Sequence, residues 1–264
     1  MSHIYLHNGM RKPSPTTILG DCIDKSGAMA QAAVNETLKH LINESGHNKY
    51  GCYYEVGYED AENAKYHYKN IWKKQMTIGS ITHKAIHIYL NNKFKFISSY
   101  AEVQNTMKAF LSFAQDFKLE PLHTEYQVYG NFCAGTVDLK CHITFPKGKY
   151  KGQRFKYILD WKTNKAFYGR AHMLQAAKYR QLDGDKLDGH CAVRLDKYSG
   201  EYEFKDGGGH YPRSRDTYKS DLRRFNAYMI AYMENHPKIA KGCNWKLPEV
   251  NKQTSFETVM EGLR

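Results

Sequence analysis

Tyr157-Ile158-Leu159-Asp160-Trp161-Lys162-Thr163 decides the fold class, because an apolar run ends there in a carboxylate with a lysine two residues on. Large apolar and β-branched residues in a short run bounded by a turn read as a strand. The turn is Pro146-Lys147-Gly148-Lys149, which places a strand from Phe155 to Trp161. Upstream, residues 123–129 and 132–145 read as two further strands, carrying Val128, Phe132, Val137, Leu139, Ile143 and Phe145. Residues two apart on a strand share a face, so Asp160 and Lys162 point the same way.

Helical patterning surrounds these strands. Pro13-Ser14-Pro15-Thr16-Thr17 reads as a turn-rich opening, followed by a helix from about Asp24 to Asn43 whose Ala28, Ala30, Ala32 and Ala33 suit close packing on a neighbour. Gly46, Gly51 and Gly57 mark residues 44–58 as a loop, a helix follows from about Glu59 to Lys74, and Gly79-Ser80 opens another with Ile81, Ala85, Ile86, Ile88 and Tyr89 available to a core. Further helices are expected over 102–117, 171–182 and 214–235, with strands near 190–196 and 200–205 and a Gly207-Gly208-Gly209 loop before the last helix. The fold class expected is α/β, a small mixed central sheet flanked by helices, with an N-terminal helical part. A single domain over 1–264 is expected, with 1–78 mainly helical, 79–235 the core and 236–264 a tail of weak periodicity.

The chain has 264 residues, 41% hydrophobic and 14% aromatic, enough for one sizeable core. Its 39 Lys and Arg against 27 Asp and Glu leave a net charge of +12, which attracts polyanions and makes nucleic acid the leading partner class. No run of about 18 apolar residues is present and the N-terminus lacks secretory character, so a soluble, intracellular protein without a membrane partner is expected. Cys22, Cys52, Cys133, Cys141, Cys191 and Cys243 are scattered without a Cys-x-x-Cys pair, arguing for reduced thiols rather than a zinc or redox motif.

Three features carry chemistry: Glu125 on the first strand, Gly135-Thr136-Val137-Asp138 on the second and Asp160-Trp161-Lys162 on the third. Adjacent antiparallel strands bring Asp138 and Asp160 together, where two carboxylates repel unless a cation lies between them. Hard oxygen ligands favour Mg²⁺ or Mn²⁺. The Lys162 ammonium then orients a water or stabilises charge building on a phosphate. Against this stands the ordinary reading of Asp-x-Lys as a solvated ion pair, but Tyr157, Ile158 and Leu159 make Asp160 the charged end of an apolar strand.

In order along the chain stand Gly79 to His83, Glu125 to Val128, Gly135 to Asp138, Asp160 to Lys162, and Gln175 to Tyr179. This series resembles the RecB-like and Cas4-like branch of the PD-(D/E)XK nucleases, phage exonucleases included, over roughly residues 13–182. The resemblance implies a metal-dependent deoxyribonuclease in which His83, Asp138 and Asp160 bind Mg²⁺ or Mn²⁺ with the Trp161 carbonyl as a further ligand. Lys162 is then catalytic with Asp138, Asp160 and Glu125, while Gln175 and Tyr179, one helical turn apart, line the site and hold Lys162 or the DNA backbone. With no secretory signal read at the N-terminus, a cytoplasmic location is expected, in a host cell if the protein is phage-encoded. An iron-sulfur cluster of the Cas4 kind is not expected, since only Cys243 follows residue 191.

His87 forms an i, i+4 pair with His83 but finds no third zinc ligand at a telling spacing and is read as a bystander. Lys147, Lys149, Lys151, Arg154 and Lys156, and separately Arg213, Arg215, Arg223 and Arg224, either grip phosphates or form solvated charged faces. Tyr50, Tyr53, Tyr54, Tyr66, Tyr68 and Trp72 either stack single-stranded bases or pack a core. The expected activity is exonucleolytic cleavage of single- or double-stranded DNA from an end. An endonuclease on the same core and a non-catalytic DNA-binding module stay open, and the oligomeric state is not specified.

Overall fold

A computed structural model describes residues 4–23, 26–44, 58–92, 98–167 and 169–246. The chain divides into two compact units, one of Met1–Cys22 with Ile81–Arg264 and one of Ile23–Ser80. Among the described residues no helix is long and apolar enough to cross a membrane.

The first unit is organised by a five-stranded mixed sheet in the order β3-β4-β5-β6-β7, formed by Glu120–Tyr129, Ala134–Thr144, Arg154–Lys162, Gly189–Leu195 and Tyr202–Asp206. Strands β3, β4 and β5 are antiparallel neighbours. Strand β6 lies parallel to β5 and antiparallel to β7. The parallel step requires a crossover, which helix α5 (Ala171–Asp183) supplies. Pro121 is tolerated because β3 is an edge strand and its register with β4 shifts between Pro121 and His123.

Helix α4 (Ala101–Asp116) buries Val103, Met107, Phe110 and Phe113, a helical stripe set against the sheet. Trp161 of β5 packs edge-on against Phe110 and Phe113, with centroids 5.4 and 5.8 Å away. Its neighbour Asp160 instead meets Gln175 of α5. Successive strand residues point to opposite faces, so α4 and α5 cover the two sides of β5. Helix α6 (Tyr218–Asn235) packs on α5, and the buried Lys140 ammonium ties β4 to the end of α5 at 2.7 Å from Asp183 and 2.5 Å from Asp185.

Several elements differ from the sequence reading. Residues 4–13 form a hairpin of β1 (Ile4–His7) and β2 (Met10–Pro13), paired up to His7 and Met10. Its two-residue loop is Asn8-Gly9 with φ of 52° and 73°, the double positive φ that this dipeptide accepts most readily. Pro13–Thr17 is no simple turn. Ser14 caps helix α1 (Pro15–Cys22) by accepting the Thr17 N–H at 3.0 Å, and Pro15 occupies the first helical position, where a missing N–H costs nothing.

Helix α2 spans Ser26–Glu44, and of the small residues expected to pack, Ala30 and Ala32 are exposed and Ala33 is half-buried. The break expected between Lys74 and Gly79 is absent, because α3 runs unbroken from Tyr58 to Asn92. One interior glycine costs a helix only about 1 kcal/mol, and the buried stripe of Ile78, Thr82, Ala85 and Ile86 continues through it. Strand β4 starts at Ala134 because residues 130–133 turn, with the Gly130 N–H on the Cys133 carbonyl at 2.9 Å, and Phe132 packs on Trp245 instead. Helix α6 starts at Tyr218 and not 214, since residues 213–217 are held in the preceding loop by the Ser214 hydroxyl on Asp206 and by pairing of Gly208 with Asp216. A short helix α7 (Pro237–Gly242) opens the expected tail, of which 247–264 lie outside the described residues. The expected loop at 44–58, with Tyr50, Tyr53 and Tyr54, falls almost wholly outside the described residues, while Tyr66 is half-exposed and Tyr68 packs edge-on against Trp72.

Candidate metal and catalytic site

The site begins where two strands part. Pairing of β4 with β5 ends at Leu139 and Leu159, one step short of Asp138 and Asp160, which the same register sets opposite each other. On either side pairing continues, to Tyr129 and Ala134 between β3 and β4 and to Lys162 and Arg194 between β5 and β6. Asp138 Oδ2 accepts the Trp161 N–H at 2.8 Å, so a side chain satisfies a backbone donor that the opened ladder leaves over. Trp161 joins the site through this N–H while its indole sits in the core.

Two sets of groups converge on the opening. From α3, His83 Nδ1 lies 3.4 Å from Asp138 Oδ1 and 3.8 Å from Glu125 Oε1. His83, Glu125 and Asp138 each offer a ligand atom, all within 4.8 Å of one another. Asp160 stands outside that trio and is buried with Lys162 Nζ 2.7 Å from its Oδ2. From α5, the Gln175 amide donates to Asp160 Oδ1 at 3.2 Å and its oxygen accepts from Lys162 at 3.4 Å. Tyr179 lies one turn on, its hydroxyl 3.4 Å from the Gln175 nitrogen. His83, Glu125, Asp138, Asp160, Lys162, Gln175 and Tyr179 thus lie together around the opening between β4 and β5.

The charges hold one another in place. Burial disfavours a proton on His83, but Asp138 and then Glu125 pull its pKa up to about 10. Burial likewise opposes the charge on Asp138, yet His83 and Lys162 hold its pKa below the usual carboxylate range. Asp160 is pushed up to about 6 by burial and by Asp138, against the pull of Lys162. Lys162 is half-buried, which opposes its charge, but the two aspartates raise its pKa.

Two residues show why their types are needed. A Cβ on Gly135 would lie 2.6 Å from the Tyr179 ring, so the glycine lets the ring settle on β4. Gly135→Ala is expected to destabilise the fold by about 1–3 kcal/mol, and by less in a Tyr179→Leu background. Urea denaturation of the four variants measures this, and an equal cost in both backgrounds would clear the ring of blame.

Glu125 adopts φ 48° within β3, a left-handed conformation costly for a residue with a Cβ. It sits between Thr124 and Tyr126, which pair with Leu139 and Val137, and so faces Asp138. Glu125→Gly is expected to raise metal-free stability by about 1 kcal/mol while weakening Mn²⁺ binding, a trade of opposite signs. Loss of stability in thermal melts would show instead that its carboxylate outweighs the backbone strain.

His87 is engaged elsewhere, 2.8 Å from the Thr124 hydroxyl, and is not in the ligand trio. The sequence reading missed the β1–β2 hairpin at this end of the sheet, where the Tyr5 hydroxyl lies 3.1 Å from that of Thr136 beside Gly135. Its signal was Asn8-Gly9 between two short runs. No protein-family model matches the chain, and no curated protein is significantly similar to it.

Proposed function

We propose that the chain is a metal-dependent DNA nuclease of the PD-(D/E)XK type, acting from DNA ends. What carries the reading is the opposition of Asp138 and Asp160 where β4 and β5 separate, with Lys162 beside them and His83 and Glu125 across the gap.

The donor set fits a divalent cation. The half-buried Asp138 and the buried Asp160 repel across facing strands, and the His83 proton already compensates them in part. Asp160 Oδ2 is buried and is met by the Lys162 ammonium at 2.7 Å. His83, Asp138 and Asp160 would hold the ion, with the Trp161 carbonyl and Glu125 completing its surroundings. Mg²⁺ or Mn²⁺ suits such oxygen-rich donors. When bound, the cation supplies Lewis acidity toward phosphate and water.

Hydrolysis forms a bond from a water oxygen to phosphorus, the water giving up a proton to solvent, and breaks the bond from phosphorus to the departing sugar oxygen, which takes up a proton from solvent. Lys162, whose pKa the two aspartates raise, would donate hydrogen bonds and positive charge to the phosphate. Gln175 fixes the Lys162–Asp160 pair from the α5 side, and Tyr179 shields it.

The test compares end-labelled linear DNA, single- and double-stranded, with covalently closed circles in Mg²⁺ or Mn²⁺. Degradation of linear DNA alone is expected, and the label gives the polarity. Cleavage of circles would make the protein an endonuclease, and binding without cleavage of any substrate would leave a non-catalytic DNA-binding module.

A further inference from the structure

At the opposite end of the sheet, two basic segments far apart in sequence are built into one surface. The β4–β5 turn carries Lys147, Lys149 and Lys151, and the loop after β7 carries Arg213 and Arg215, all five exposed. The loop is rigidly organised. Asp206 accepts from the Tyr157 hydroxyl and from the N–H of Gly208 through one oxygen, and from the N–H groups of His210 and Tyr211 and the Ser214 hydroxyl through the other.

The loop is also pressed onto the turn. A Cβ on Gly148 would meet Pro212 at 2.6 Å, and His210 packs against Tyr150 and Phe155 with centroids 5.1 and 4.1 Å away. Lys147 lies over the Tyr211 ring, joining the two segments directly.

None of these five cations has a carboxylate partner among the described residues. Glu120 is paired with Arg154 and Asp185 with Lys140 and Lys156, while Asp188 and Asp216 accept the backbone N–H groups of Lys156 and Tyr218. Unneutralised cations fixed on a firm scaffold fit a polyanion whose charges recur at regular spacing.

We infer that Lys147, Lys149, Lys151, Arg213 and Arg215 form a second nucleic-acid surface that grips the phosphate backbone away from the cleavage site. The inference rests on the nuclease reading for the identity of the polyanion. Asp160 lies six residue steps along β5 from Arg154, a span of roughly 20 Å at strand rise. That corresponds to about six nucleotides at the 3.4 Å spacing of a DNA strand. Oligonucleotides shorter than this reach only the site, and longer ones engage both.

Binding of fluorescein-labelled oligonucleotides of 4, 8, 16 and 24 nucleotides is measured by anisotropy in EDTA, where the outcome does not depend on cleavage. A variant with Lys147→Gln, Lys149→Gln, Arg213→Gln and Arg215→Gln is expected to bind the 16- and 24-mers at least about tenfold more weakly. Its slope of log affinity against log salt should fall by about three. The 4-mer should bind as it does to the native chain.

Should that variant fold poorly, Lys151→Glu with Arg215→Glu replaces it, since neither side chain makes a recorded contact, and at least about a threefold loss is expected. Arg154→Gln, whose cation is already paired, should change nothing. Unaltered affinity and salt slope for the long oligonucleotides would overturn the inference, as would a loss confined to binding of phosphatidylglycerol vesicles. Cleavage assays in Mn²⁺ judge the nuclease reading separately.

Discussion

Lys162→Ala is expected to slow cleavage of linear DNA at least about a hundredfold, the usual consequence of removing a charge-stabilising donor from a desolvated site. The ammonium lies 2.7 Å from Asp160 and is oriented by Gln175, so no other side chain recorded at the site replaces it. Lys162→Arg should recover only part of the rate, because the wider guanidinium does not fit the same pair of oxygens. Single-turnover assays in Mn²⁺ decide the matter, and a rate within a few-fold of native would remove Lys162 from the mechanism.

The same substitution has a pH signature in the metal-free protein. Asp160 already binds its proton more tightly than an unfolded aspartate, so its effect on stability worsens as pH rises through about 6. Without the lysine its pKa rises further. The stability gap between variant and native should therefore be small at pH 5 and wide at pH 8, by roughly 2–3 kcal/mol or more for an unpaired buried carboxylate. A gap that narrows at pH 8 would mean that Asp160 does not depend on Lys162.

Asp138→Asn is expected to weaken Mn²⁺ binding at least about a hundredfold, since even outer partners of metal ligands are worth ten- to a hundredfold. The fold should survive, because the asparagine oxygen can still accept the Trp161 N–H that Asp138 now takes at 2.8 Å. His83 should at the same time lose most of the pull that lifts its pKa to about 10. Calorimetric titration with Mn²⁺ and an NMR titration of His83 read the two effects independently. Native-like affinity would place the metal elsewhere.

How legible this site was differs residue by residue. Asp160 and Lys162 were readable because strand periodicity is local, and two residues apart means one face whatever the surroundings. The Tyr179 ring on Gly135 was not, since a contact between a helix and a strand 44 positions earlier leaves no periodic trace. The α3 stretch was misread at Gly79, where a local helix-breaking tendency of about 1 kcal/mol loses to the continued burial of Ile78, Thr82, Ala85 and Ile86.

By itself, then, the sequence determined the α/β class, the succession of β3, β4, β5 and α5, and the residue types of an acidic site that could hold a cation, all of them consequences of short-range pattern and side-chain chemistry. Only the tertiary structure decided that β4 and β5 part at Asp138 and Asp160, that Glu125 is held in a left-handed conformation opposite them, and that two distant basic segments meet through Gly148 and Pro212. Such features depend on which strands pair and where that pairing stops, and a backbone ladder is closed by partners far away along the chain.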